Sequence, residues 1–187
     1  MTNSHPTDVG YLPPRTEDLL VRAEIGDVLQ RYVRGIDRID LPAVASCYHP
    51  DAWDDHNRFR GTATDFVAWL EGRLERHAAT THLLSTPLVR VVDDAEVQSD
   101  TYCVVHQGSP LDVENRRTIT VEGLRYLDRF ERRDGRWLIA HRKVAVDWRY
   151  QLVVGPKGGP PFPEDWCVGR RDRDDASYSD VEAIAKR

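Results

Sequence analysis

Asp37 interrupts the apolar side of a segment with helical periodicity. In TEDLLVRAEIGDVLQRYVRGID (residues 16–37), apolar residues recur at helical spacing, and the side that they form runs into Asp37. A lone carboxylate on such a side is costly unless another group pairs with it or uses it. Asp37 could cap the next helix, pair with Arg38 or another surface arginine, or take part in chemistry.

Further polar groups follow in HPDAWDDH (residues 49–56), whose composition is typical of a solvated loop. The spacing of its histidines and acids fits no usual zinc site, and no cysteine pair supports one. The chain also has no glycine-rich phosphate loop in a strand–helix context and no Gly-x-Ser-x-Gly nucleophile motif. The sequence therefore predicts neither a metal nor another cofactor.

Helices must position these groups in the first part of the chain. Residues 16–37 form the first predicted helix, with Thr16 as its N-cap. Asp40 is expected to cap a short second helix, since Pro42 is tolerated in a first turn. Residues 62–78 repeat the helical pattern and predict a third helix.

The apolar period changes to two after residue 80, which predicts strands. Residues 81–92 and 95–107 form one predicted hairpin, in which Pro87 indicates an edge or a bulge. Residues 116–132 and 136–152 form a second, because the intervening Arg-Asp-Gly contains a strong hairpin turn signal. Helices followed by antiparallel hairpins indicate an α+β fold.

Composition excludes several classes of protein. The 187 residues, 40% hydrophobic and 30% charged, indicate one globular domain. The net charge of -5 argues against nucleic acid as a binding partner. The sequence contains no run of about 18 apolar residues, so it predicts no membrane span. Three widely spaced cysteines and the lack of a secretory signal predict a cytoplasmic protein. An N-terminal arm (1–15), a domain (16–150) and a C-terminal tail (151–187) are expected.

Three motifs carry a resemblance to a known family. YVRGID, TTHLLSTPLV and RYLDRFERRDGRWLIAHR resemble the SnoaL-like family of the nuclear transport factor-like superfamily over residues 16–150. The resemblance implies an α+β cone-shaped barrel, in which a strongly curved mixed or antiparallel sheet wraps around the N-terminal helices and leaves a cavity. That branch includes lyases with a catalytic aspartate and histidine at the positions of Asp37 and His82.

The resemblance therefore implies that Asp37 meets His82 in the cavity as a catalytic dyad. A carboxylate that accepts one imidazole N–H fixes the tautomer and leaves the other nitrogen as a base. The alternative for His82 is a half-buried strand residue without a catalytic role.

Five other residues are candidates for binding the substrate. Tyr32 could donate a hydrogen bond to a substrate oxygen or simply pack in the helix. Relatives often have tyrosine at the position of His56. His56 could likewise donate a hydrogen bond, or it could lie exposed in a loop. Tyr102 and His106 share one face of a strand, because they are four residues apart. His106 could hold a substrate oxygen, and Arg125 could bind an anionic group or form a salt bridge.

The resemblance and these residues predict a cofactor-independent lyase of the dehydratase or dehydrohalogenase type. His82 would remove a proton from a small hydrophobic cyclic substrate. An isomerase or polyketide cyclase with the same base is the alternative within enzymes, and a non-catalytic binding or subunit-supporting module is the alternative outside them. The resemblance also implies a homo-oligomer, with a trimer favoured over a dimer, and Phe162 and Trp166 could anchor the tail.

Overall fold

The computed structural model describes residues 15–155 and 162–179, so the predicted arm lies outside the described residues except for Arg15. The α-helices are α1 (Thr16–Asp37), α2 (Leu41–Ala45) and α3 (Ala63–Leu70). The strands are β1 (Tyr48–Asp55), β2 (Arg60–Thr62), β3 (Ala79–Leu84), β4 (Leu88–Val91), β5 (Glu96–Gly108), β6 (Arg117–Arg133) and β7 (Arg136–Val154). No helix in these described ranges is long and apolar enough to cross a membrane.

The first two predicted helices are confirmed. The N-cap of α1 is Arg15, not Thr16 as predicted, and the Asp18 carboxylate accepts a hydrogen bond of 3.2 Å from the Arg15 backbone N–H. Asp40 caps α2 by accepting from the Ala43 N–H at 3.2 Å.

The third predicted helix is shorter than its pattern suggested. It was expected through residue 78 but ends at Leu70. Gly72 has a φ of 67°, which lies in the left-handed region and is incompatible with a continuing helix. A single 3-10 turn at Leu74–Arg76 follows before β3 begins.

The segment HPDAWDDH is strand rather than the predicted loop. Most of it forms β1, which runs parallel to β7 and antiparallel to β2. Its buried polar groups are satisfied inside the fold, because His49 contacts the Glu131 carbonyl at 2.9 Å and the Tyr48 hydroxyl donates to Asp54 at 2.7 Å. A polar composition therefore hid a half-buried strand.

The sheet is mixed, and its strand order is β2-β1-β7-β6-β5-β3, with β4 also pairing with β5. The predicted β6–β7 hairpin is confirmed, and both of its turn residues have positive φ, 51° at Asp134 and 77° at Gly135. Pro87 lies in the interruption between β3 and β4, as predicted.

Helix α1 contributes more buried side chains to the core than α2 or α3 does. Its buried residues join one hydrophobic core with residues on one face of the sheet; those from α1 are Ile25, Val28, Leu29, Tyr32, Val33 and Ile36. The predicted α+β architecture, with a large mixed sheet and N-terminal helices, is confirmed. The sheet stays open between its edge strands β2 and β3.

Two glycines of α1 lie in opposite surroundings, so the same substitution is expected to act in opposite directions. A Cβ at Gly26 would have no heavy atom within 4 Å, whereas at Gly35 it would lie 2.8 Å from Val44 Cγ2 and 3.2 Å from the Asp40 carbonyl oxygen. Gly26→Ala should raise the free energy of unfolding by about 0.5–1 kcal/mol. Gly35→Ala should lower it by about 1–3 kcal/mol through overpacking.

Urea denaturation followed by far-UV circular dichroism measures both changes. Each glycine variant serves as the control for the other, because the helix and the substitution are the same. A stabilising effect at Gly35 would contradict the close packing of α1 against α2.

Candidate active site

Asp37 and His82 are in direct contact. His82 Nδ1 lies 2.7 Å from Asp37 Oδ1, and the backbone N–H of His82 donates to Asp37 Oδ2 at 3.0 Å. The Thr80 hydroxyl donates to Oδ1 at 2.8 Å. Asp37 therefore neither caps α2 nor forms a surface ion pair among the described residues; its carboxylate is bound by β3.

The elements that carry the two residues explain the contact. Asp37 is the last residue of α1, where the apolar side of the helix ends. Thr80 and His82 are two residues apart in β3 and therefore point to the same face of the sheet. Both side chains of the pair are largely buried, with 13% of Asp37 and 8% of His82 exposed.

The two nitrogens of His82 have different surroundings. Since Asp37 accepts at Nδ1, that nitrogen carries the proton, and Nε2 has a free lone pair. Nε2 makes no hydrogen bond within the part of the chain that the structure describes. Burial alone raises the pKa of Asp37, but the hydrogen bonds and charge of His82 outweigh it and hold that pKa below its usual value. A carboxylate next to an available imidazole nitrogen is an arrangement suited to a general base.

A second histidine–aspartate pair lies at the end of β1. His56 Nδ1 contacts Asp54 Oδ1, and His56 Nε2 lies 3.2 Å from the Tyr32 hydroxyl. Asp54 is fully buried and also accepts from the Tyr48 hydroxyl at 2.7 Å. Both ring nitrogens of His56 are thus engaged, which distinguishes this imidazole from that of His82. Burial raises the pKa of Tyr32, so its hydroxyl keeps its proton.

A buried ion pair supports this second cluster. Arg142 binds Asp128 through two hydrogen bonds of 2.7 Å, and both side chains are fully buried. The Arg142 guanidinium lies between two tyrosine rings, 4.2 Å from the centroids of both Tyr32 and Tyr126. Its Nη1 has no hydrogen-bond partner among the described residues. Tyr32 belongs to α1, but its ring is also held by the charged guanidinium of Arg142 from β7.

The structure places Tyr102, His106 and Arg125 on the face of the sheet opposite to His82. Paired residues of antiparallel strands share a face, and His82 pairs with Val105 and Leu84 with Cys103. Tyr102 and His106 therefore point to the opposite face of the sheet. Arg125 also lies on that outer face, where it binds Asp100 at 3.1 Å and Asp147 at 3.3 Å. The two residues of β5 were correctly placed on one face, but it is the wrong face for the site.

The outer face of the sheet also exposes large apolar side chains. Trp148 and Tyr150 stack with ring centroids 5.7 Å apart, and Trp148 lies over Gly123, where a Cβ would come within 2.1 Å of its ring. Tyr102 is 59% exposed. The homo-oligomer stays a prediction, and this surface is where it would be tested.

The sequence analysis did not identify Asp54, Asp128 and Arg142. For the last two a signal was present: Asp128 alternates with Tyr126 and Phe130 on the buried face of β6, and the hairpin register sets Arg142 opposite it. Asp54 lay in the segment predicted to be a loop. Among the described residues, no three potential ligand side chains come together as a metal site requires.

A cavity of about 300 Å³ lies along the contact between α1 and the β3–β4 turn. Its lining consists of Arg22, Gly26, Leu29, Gln30, Leu84, Ser85, Thr86 and Pro87. Neither Asp37 nor His82 lines it. Leu84, which lines the cavity, lies two residues after His82 on the same face of β3.

Comparison with known proteins identifies the family. Residues 17–143 match a family model described as a SnoaL-like domain. This chain belongs to the SnoaL-like family. The resemblance carried by the three sequence motifs is thereby confirmed. No curated protein matches this SnoaL-like chain in sequence.

Solved structures share the fold at low sequence identity. A type 2 hexachlorocyclohexane dehydrochlorinase superposes with a TM-score of 0.66 at 20% identity, covering 78% of this chain and 97% of its own. A candidate scytalone dehydratase from Novosphingobium aromaticivorans gives 0.65 at 17%, covering 77% and 97%. The beta subunit of a candidate aromatic-ring-hydroxylating dioxygenase from the same species gives 0.55 at 18%, covering 71% and 92%.

The lowered pKa of Asp37 predicts how its contribution to stability depends on pH. A carboxyl group with a lower pKa in the folded state stabilises the fold above the pKa of the unfolded state, which is about 3.9. That contribution disappears as the pH falls through the folded value. The difference in free energy of unfolding between the wild type and Asp37→Asn should therefore be largest near neutral pH and shrink below about pH 4.

Urea titrations between pH 3 and 7 measure this difference. Asp94→Asn, at an exposed aspartate, is the control and should differ little from the wild type at every pH. An Asp37→Asn difference that stays constant with pH would contradict an ionised Asp37 held by His82.

The Arg142–Asp128 pair predicts a non-additive effect. Arg142→Met should lower the free energy of unfolding by about 3–5 kcal/mol, because it leaves Asp128 buried without its partner. Adding Asp128→Leu should restore at least about 1 kcal/mol, since no unpaired charge remains. Urea denaturation of both variants tests this, and a double variant no more stable than the single one would contradict the prediction.

Proposed function

We propose that this SnoaL-like protein is a cofactor-independent lyase in which His82 is the general base and Asp37 orients it. The observation that carries the proposal is the difference between the two nitrogens of His82. Nδ1 lies 2.7 Å from Asp37, whereas Nε2 is not bound to any described residue and can accept a proton.

The proposed step is an elimination. Nε2 of His82 takes a proton from a carbon, and the electrons of that C–H bond form a carbon–carbon double bond. The leaving group departs from the neighbouring carbon with its bonding electrons, as halide or as hydroxide that is protonated to water. The negative charge of Asp37 stabilises the imidazolium formed on His82, and its effect is strong because the pair is largely buried.

Tyr32 and His56 are the proposed donors to the leaving group or to a substrate carbonyl. When His56 is neutral, the Tyr32 hydroxyl donates to Nε2 of His56. When His56 is protonated and its charge is balanced by Asp54, Nε2 of His56 becomes a hydrogen-bond donor. The Tyr32 hydroxyl then no longer donates to His56 and can donate its hydrogen bond to a substrate oxygen. His106 is no longer a candidate, because it lies on the outer face.

The proposed substrate is a small, hydrophobic, cyclic compound with a halogen or hydroxyl leaving group. Similarity to a hexachlorocyclohexane dehydrochlorinase and to a candidate scytalone dehydratase supports this class. The aromatic surroundings of His56, which stacks on Phe66 at 4.5 Å, also suit an apolar ring. A substrate that enters the cavity of about 300 Å³ reaches Leu84, which lies on the same face of β3 as His82.

A subunit-supporting role is the second candidate function. It is favoured by the separation of that cavity from His82 and by similarity to a dioxygenase beta subunit. An isomerase or cyclase would use the same base as the lyase. It would differ only in which new bond the electrons of the broken C–H bond form.

Activity of three variants tests the lyase proposal. The wild type is screened with halogenated and hydroxylated cyclic compounds, with halide release and loss of water followed by ion chromatography and mass spectrometry. His82→Ala should lower kcat/KM by about 10³-fold or more, and Asp37→Asn by about 10²–10⁴-fold. His106→Gln, on the outer face, is the matched control and should stay within about twofold of the wild type.

Three outcomes separate the alternatives. Rearranged or cyclised products that still require His82 would indicate an isomerase or cyclase. Equal turnover by all variants would rule out His82 as the base. No turnover of any compound, together with retention of a partner subunit, would favour the supporting role.

A further inference from the structure

The C-terminal strap, defined as residues 170–178, lies against the end of α1 that carries Asp37. Tyr178 and Arg173 both bind the Asp40 carboxylate at 2.9 Å. The Asp175 carboxylate, which is 5% exposed, pairs with Arg38 at 3.2 Å. The strap therefore joins the helix end through buried acidic groups on both sides of the contact.

The anchoring aromatic residues expected from the sequence do not make this contact. Phe162 and Trp166 are 63% and 58% exposed and pack against each other, with ring centroids 5.9 Å apart. Charged residues of the strap attach the tail instead.

Arg171 is the residue of the strap closest to the proposed dyad. Its guanidinium donates to two carbonyls at the end of α1, that of Asp37 at 3.1 Å and that of Ile36 at 3.4 Å. It also donates to Leu74 at 2.7 Å and to the carbonyl of His77. Four backbone acceptors from two segments thus share one side chain, which uses four of the five N–H donors of the rigid arginine fork.

The two segments that Arg171 joins are those that carry the dyad. One ends with Asp37, and the other, residues 74–77, leads directly into β3 and His82. Arg171 forms no ion pair with a described residue, so its charge is balanced by carbonyl oxygens. The carbonyls at a helix C-terminus carry partial negative charge and suit a cation.

The end of α1 needs such support because its own cap is strained. Asp40 N–H bonds to the Gly35 carbonyl at 2.8 Å and Ile39 N–H to the Ile36 carbonyl at 3.4 Å, a pattern that usually has glycine in the left-handed position. Here that position is Ile39, whose φ is 55°. A β-branched residue in this region is strained, and surrounding contacts must hold it.

We propose that Arg171 is a positioning residue, which sets the Asp37–His82 contact by tying the end of α1 to the turn before β3. This proposal rests on the proposed function, since it assigns the C-terminal strap to the same site. Without Arg171, the helix end and the turn lose their shared donor. The carboxylate of Asp37 then loses its fixed position relative to Nδ1 and to the backbone N–H of His82.

Nuclear magnetic resonance tests the positioning directly, without a substrate. Nitrogen-15 spectra report the tautomer of His82, and hydrogen exchange reports the His82 amide that donates to Asp37. In Arg171→Met, the Nδ1–H tautomer should be depleted, and exchange of the His82 amide should accelerate by at least about tenfold. Exchange of amides in the β6–β7 hairpin should change less, which separates a local effect from global destabilisation.

Arg170→Met is the matched control. Arg170 lies in the same strap, but among the described residues its side chain binds only Asp172 and Asp174, and it is 54% exposed. This variant should leave the His82 signals unchanged. If Arg171→Met does not fold, Arg171→Lys decides, because lysine keeps the charge but cannot span four carbonyls. Its His82 amide should exchange faster than that of the wild type.

The activity assay adds an independent arm. With a substrate from the lyase screen, Arg171→Met should lower kcat by about 10–10²-fold, and Arg170→Met should not. Unchanged His82 signals in both Arg171 variants would overturn the positioning role, even if activity falls. If Asp37→Asn and the wild type turn over equally, the lyase proposal fails, while the spectra still decide the role of Arg171.

Discussion

A carboxylate buried at the end of a helix has to be paired, and the arrangement of this fold around Asp37 follows from that requirement. Burial disfavours the ionised form, and three donors from β3 reverse the effect. One of these donors is the imidazole of His82, so the same bond that stabilises Asp37 fixes the His82 tautomer. The contact between Asp37 and His82 therefore both stabilises the buried carboxylate and serves the proposed chemistry.

His82 and His56 differ in what their second ring nitrogen can do. His82 gives one nitrogen to Asp37 and keeps the other available, as a base requires. His56 has both nitrogens engaged, by Asp54 and Tyr32, as suits a group that relays or orients a proton. The ion pair of Arg142 and Asp128 holds the aromatic surroundings of this second pair. Of these two imidazoles, one has an available nitrogen and the other has both nitrogens bound.

Local sequence signals predicted the regular elements well. The apolar period identified α1, the side chain of Asp40 and the tolerance for Pro42 identified α2, and Asp-Gly identified the β6–β7 turn. The signals failed where local pattern and tertiary surroundings disagree. The polar residues of β1 hid a strand, because His49 is satisfied by the distant Glu131 carbonyl and Asp54 by side chains that fold back onto it. Helix α3 ends at Leu70, before Gly72, although its apolar pattern continues.

The candidate site could be predicted only in part, because local patterns do not report contacts between distant residues. Asp37 could be identified because a carboxylate interrupted an apolar pattern, but its partner came from a family resemblance, since no local rule joins residues 45 positions apart. Tyr102 and His106 were correctly placed on one face of β5. An apolar period of two does not show which face of β5 packs against α1. The pairing register of β5 with β3 determines that face.

The sequence by itself determined most of the regular elements and the residue types available for proton transfer, because these depend on near neighbours. Only the tertiary structure decided that His56 meets Tyr32, that Arg142 contacts the rings of both Tyr32 and Tyr126, and that Arg171 reaches the end of α1. Each of these contacts joins segments far apart in the chain. Their free energy depends on desolvation and on geometry in the folded core, which no local pattern encodes.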